Sequence, residues 1–203
     1  MRKILLFILM LVTGSVVYAQ EKTGDTKIVS AVTVKVNNLL HLGKTPLKNY
    51  YAPGGEIGVF FKDRVYLGIS QYSSLAPKDI WSNNPYSPDW TRMYEYGLHI
   101  AWKQLLTDNL YVMAGLRGGY GALHMEYRFN NGEDSDETMS REQLGSLFVN
   151  PDLRAGIRLH RFIALEAGAS YRLYTGGQTK WGLTSQALNG PGFVLSLVGN
   201  IPL

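Results

Sequence analysis

From about Ile28 to the last residue the chain repeats a two-residue alternation, with bulky apolar side chains on one side and glycine, serine and charge on the other. The segment Phe162 to Tyr174 shows it best. Ile163, Leu165, Ala167, Ala169, Tyr171 and Leu173 fall on one side; Ala164, Glu166, Gly168, Ser170, Arg172 and Tyr174 fall on the other. Successive side chains point to opposite faces of a strand, so a period of two dictates β-structure with one apolar face.

Eight such segments are legible: Ile28–Asn37, Gly55–Phe61, Val65–Tyr72, Arg92–Lys103, Leu110–Arg128, Leu147–Leu159, Phe162–Tyr174 and Gly192–Ile201. Their faces agree. Tyr94, Tyr96, Leu98, Ile100 and Trp102 oppose Glu95, Gly97, His99, Ala101 and Lys103. Leu153, Ala155 and Ile157 oppose Asp152, Arg154, Gly156 and Arg158. In the fifth segment the phase changes near Gly118-Gly119, which predicts a glycine bulge that brings Arg117, His124, Glu126 and Arg128 onto one face. The connections alternate in length. Lys62-Asp63-Arg64, Leu105 to Asn109 and His160-Arg161 are tight, while the other four each run about 15 to 20 residues, a pattern rare in soluble domains.

Arg2 and Lys3 precede an apolar run from Ile4 to Val12, and Val17-Tyr18-Ala19 supplies the small residues of a cleavage site. Residues 1–19 are therefore expected to be a signal peptide cleaved after Ala19, with one domain over 20–203. The run is too short for a membrane helix, and no later run approaches the ~20 apolar residues one needs, so any spanning must use strands. Removing Arg2 and Lys3 takes Lys+Arg from 20 to 18 against 16 Asp+Glu, a net charge of +2 with no nucleic-acid footprint. The chain has no cysteine, which removes disulfides, thiolate metal sites and a lipid-anchored N-terminus.

Which face points inward decides the class. The polar face is rich in glycine and carries charges of both signs: Lys35, Glu56, Glu95, Lys103, Arg117, Glu126, Arg128, Asp152, Arg154, Arg158, Glu166 and Arg172. Buried charge persists only when paired, and a near-balanced set suits a narrow, crowded lumen. Tyr94, Tyr96, Trp102, Tyr127, Phe129, Phe162 and Tyr171 near strand ends suit interfacial girdles. The expected fold is all-β: an eight-stranded antiparallel up-and-down transmembrane barrel with short periplasmic turns and long extracellular loops. A soluble periplasmic ligand-binding barrel is the inverse, with its apolar face inside.

On these strands, and on Leu153-Arg154-Ala155-Gly156-Ile157-Arg158 and Phe193-Val194-Leu195-Ser196-Leu197 above all, the chain resembles the small outer-membrane β-barrels of OmpA-type, OmpX-like and OmpW-like proteins. The resemblance implies a place in the outer membrane of a Gram-negative bacterium, in contact with lipid and lipopolysaccharide. It departs from the usual pattern at the end of the chain, Ile201-Pro202-Leu203, where an aromatic residue is common.

An eight-stranded lumen is about wide enough for its own side chains. The charges of the polar face, with His99, are thus expected to form a structural network, and the role to be non-enzymatic. No cofactor or metal site is expected. A lipid-modifying enzyme would need a His/Ser pair; His124-Met125-Glu126 and His99-Ile100-Ala101 supply no serine. Recognition of an extracellular protein or glycan is expected from the loops, where Trp81, Tyr86 and Trp90 lie among Pro77, Pro85 and Pro88. The next loop carries Glu133, Asp134, Asp136, Glu137 and Glu142 at spacings that match no standard calcium loop.

Overall fold

The structure is a computed structural model that describes residues 28–42, 49–76, 90–129, 138–177 and 184–203. The expected signal peptide, Trp81, Tyr86 and most of the acidic loop lie outside the described residues, as do the side chains of Trp90, Tyr127, Arg128 and Phe129.

Eight strands form: β1 Val29–His41, β2 Tyr50–Phe61, β3 Val65–Ala76, β4 Trp90–Leu105, β5 Leu110–Phe129, β6 Thr138–His160, β7 Ile163–Thr175 and β8 Gly190–Pro202, with a 3-10 turn at Ser185–Leu188. Each pairs antiparallel with the next, and β1 pairs with β8, so the sheet closes into a barrel in chain order. Closure removes both sheet edges and satisfies the backbone within the wall. It is the fold the alternation predicts.

The faces sort as the pattern requires. Lys35, Glu56, Glu95, His99, Arg117, Asp152, Arg154, Glu166 and Arg172 are buried inside. Leu98, Leu147 and Leu153 on the outside are more than 60 % exposed, and Val36, Ile100, Phe193, Leu195 and Leu197 more than half. Trp102, Tyr96, Tyr51 and Tyr120 extend this apolar belt toward the strand ends. A soluble monomer rarely shows a contiguous apolar patch beyond a few hundred Å²; here the apolar residues ring the molecule and the charges fill it.

Two expectations are corrected. There is no bulge at Gly118-Gly119: β4 to β5 and β5 to β6 keep continuous register along the whole of β5. As far as Met125 the odd-numbered side chains stay inside, so Leu123 and Met125 are buried while His124 and Glu126 face outward. Glu126 is therefore not a lumen charge, and His124 stacks edge-on against Tyr94 at 5.5 Å. The reason is depth. Near the loops the inside is an apolar plug, so the polar His124 and Glu126 lie outside while the strand keeps its phase.

The same reason accounts for the strand lengths. β6 begins at Thr138, not Leu147, and its first stretch pairs with Gly121 through Phe129 although it carries no clean alternation. At 20 and 23 residues, β5 and β6 are about twice the ~9–11 residues of a tilted spanning strand. The excess stands on the loop side.

Candidate functional site

The lumen is layered. Nearest the loops, Leu39, Tyr50, Ala52, Tyr72, Met93, Leu123, Met125, Leu144, Phe148, Tyr174, Leu188 and Val194 pack into one cluster. Nearest the turns, Ala31, Phe60, Tyr66, Ala101, Tyr111, Met113, Ala164 and Val198 pack into another. The charges lie between.

Arg154, on β6, organises the centre. Its Nε donates to Asp152 Oδ1 at 2.8 Å, its Nη2 to Glu56 Oε1 at 3.3 Å and its Nη1 to Glu166 Oε2 at 3.4 Å. A planar guanidinium with five donors is the side chain able to serve three carboxylates at once. Lys35 Nζ, from β1, meets Glu166 Oε2 at 2.9 Å and Oε1 at 3.1 Å, and Tyr111 donates its hydroxyl to Oε1 at 3.0 Å. His99 bridges the other two acids: Nδ1 is 2.9 Å from Glu56 Oε2 and Nε2 3.1 Å from Asp152 Oδ2. The Tyr72 hydroxyl donates to Glu56 Oε1 at 2.9 Å and accepts from Asn37 Nδ2 at 2.8 Å.

A second set lies toward the loops. Arg172 Nη2 donates to Glu95 Oε2 at 3.0 Å and Nη1 to the Tyr50 hydroxyl at 2.6 Å, while Tyr174 donates to Glu95. Arg117 has no carboxylate partner among the described residues. Its guanidinium lies 4.4 Å from the centre of the Tyr72 ring. With the Asn150 amide turned so that its oxygen faces Arg117, that oxygen accepts from Nη2 at 2.9 Å. Among the described residues five buried cations (Lys35, Lys103, Arg117, Arg154, Arg172) thus face four buried acids (Glu56, Glu95, Asp152, Glu166). A near-balance of sign, with most of the ions paired, is what lets a low-dielectric interior hold so many charges.

Of the other sequence candidates, Lys103 is inside but held by ring faces, 4.8 Å from the centres of both Phe60 and Tyr111. Arg158 is half-buried at the turn-side mouth. The tyrosines at positions 50, 72, 111 and 174, with Asn37 and Asn150, complete the network and were absent from the charge-based reading. Their period was visible, since Tyr174 falls on the same face as Glu166 and Arg172.

Such an interior can hold strands together, and among the described residues an apolar cluster lies on either side of it. No protein-family model matches the sequence, and no curated protein matches it. Solved structures do match its fold. Neisserial surface protein A is 11% identical, with a TM-score of 0.53 over 85% of this chain and 96% of its own. A major outer membrane protein from Thermus thermophilus is 15% identical, with a TM-score of 0.50 over 84% of this chain and all of its own. At these identities the likeness is one of fold: a closed eight-stranded barrel of the outer-membrane type.

Proposed function

We propose that the chain is a non-enzymatic outer-membrane barrel with a plugged lumen, serving envelope integrity or surface recognition through its long loops. The observation that carries the reading is the inversion of polarity: an apolar ring outside, including Leu98, Leu147 and Leu153, around a near-balanced charge network inside. Lipid is the solvent that accepts such a surface, and a closed barrel is the β-structure that can cross it. The soluble ligand-binding alternative predicts large apolar side chains lining the interior, and the central layer is ionic instead.

The non-enzymatic part draws support from the same layer. His99 is clamped between Glu56 and Asp152, and His124 faces away from the lumen. Recognition is assigned to the loop side, where the β5–β6 hairpin stands beyond the apolar belt and Trp81, Tyr86 and Trp90 lie in sequence. Fractionation tests the placement. We expect the chain in the outer-membrane fraction, running fast on SDS gels unboiled and slowing on boiling. Recovery in the soluble periplasm without a shift would overturn the reading.

A further inference from the structure

The three short turns at one end of the barrel are described in full, and the charge of their side chains is one-sided. Lys62 and Arg64 flank Asp63 in the first turn, Asp108 lies in the second, and Arg158 and Arg161 bracket the third. Four cationic side chains stand there against two carboxylates, and Lys103 lies just inside the mouth.

The first turn holds its charge at a conformational cost. Lys62 and Asp63 have φ of 49° and 55°, and Arg64 N–H closes the turn on the Phe61 carbonyl at 3.0 Å. Left-handed positions of this hairpin turn favour glycine and asparagine, and a lysine there is strained. Strain of this kind is kept where something else compensates it.

The second and third turns combine charge with apolar surface. Arg158 N–H donates to the Asn109 carbonyl at 2.7 Å, which ties the two turns together. The register slips between Arg158 and His160, and Leu159 there is 58 % exposed. Leu105, Leu106 and Phe162 are exposed beside it, with the Arg161 guanidinium 4.5 Å from the centre of the Phe162 ring. The apolar belt runs down to this rim through Trp102, Leu110 and Ile157, with no polar strand between the belt and the charges. The cations therefore sit at headgroup depth, not beyond it, where a soluble partner would dock.

We infer that the turn-side rim binds the headgroups of anionic phospholipid in the periplasmic leaflet. The phosphates meet Lys62, Arg64, Arg158 and Arg161, and the leucines and Phe162 lie at the acyl boundary. The inference rests on the membrane reading above. Like charges gathered at a membrane surface each add to affinity for anionic lipid.

The test uses the full barrel refolded in phosphatidylcholine vesicles containing about a third phosphatidylglycerol, with retained lipids counted by native mass spectrometry after detergent extraction. Wild type is expected to retain phosphatidylglycerol over phosphatidylcholine on the order of tenfold beyond their ratio in the vesicle. The variant Lys62→Gln/Arg64→Gln/Arg158→Gln/Arg161→Gln should fall to near parity. Lys62→Gln/Arg161→Gln serves if the fourfold variant does not fold. Equal retention of both lipids by wild type, or an unchanged preference in a folded variant, overturns the inference while the heat-shifted band still stands. A wild type with no heat-shifted band takes the membrane reading down with it.

Discussion

Arg154 touches three carboxylates, and each of those acids has a second partner on another strand: Lys35 and Tyr111 for Glu166, His99 for Asp152, His99 and Tyr72 for Glu56. Removing one member leaves a charge buried without its counter-charge, which costs more than the pair contributes. Glu56→Gln is therefore expected to destabilise the folded barrel by about 3 kcal/mol, read from the urea midpoint of the heat-shifted band. Arg117→Met should cost less than about 1.5 kcal/mol in the same assay, because among the described residues no carboxylate lies in salt-bridge range to be orphaned and the methionine fills similar space. A larger loss from Arg117→Met than from Glu56→Gln would refute this ranking. At this scale the sequence identifies the ions by their period but not their pairing. Which acid meets which base depends on register and strand tilt, and neither is written in alternation. That Lys103 rests on two ring faces rather than an acid is a fact of packing alone.

Among the elements, β5 is the most instructive. Gly118 and Gly119 are neighbours with opposite environments. A Cβ on Gly118 would meet nothing nearer than the Phe148 carbonyl at 3.7 Å, while one on Gly119 would strike the Tyr96 carbonyl and lie 2.5 Å from the Gly97 Cα. Backbone cannot give way as a flexible side chain does. Gly119→Ala should therefore lower stability by about 2 kcal/mol, and Gly118→Ala should be neutral or stabilising by up to about 0.5 kcal/mol. A bulge at this pair would remove the difference, so equal urea midpoints would reinstate it. The eight strands and their inner faces were legible because one side of the wall is uniformly apolar along the belt. The upper part of β5 and the first part of β6 were not. Above the belt both sides of the wall change character, with Leu123 and Met125 turned inward and His124 outward, so polarity no longer marks which face is inside.

Taken whole, the molecule is a tube stopped at both ends. The cluster around Met93, Phe148 and Tyr174 closes it toward the loops, and that around Phe60, Tyr66 and Tyr111 toward the turns. In planar bilayers the purified barrel is expected to give no steady unitary conductance; discrete, long-lived channel openings would contradict the plug. The ionic layer between the stoppers has a temporal consequence. Lys35 meets Glu166 across 131 positions of chain, Arg154 meets Glu56 across 98, and Arg172 meets Glu95 across 77. None of these partners is available to a growing sheet until distant strands have arrived. On the outer-membrane reading, a half-built wall would thus present bare charge to hydrocarbon on its concave side. Assembly is pushed toward an all-or-none event in which sealing of the β1–β8 seam and pairing of the interior charges coincide. A chain truncated before Gly190 should accordingly yield no heat-shifted band at all, rather than a weaker one.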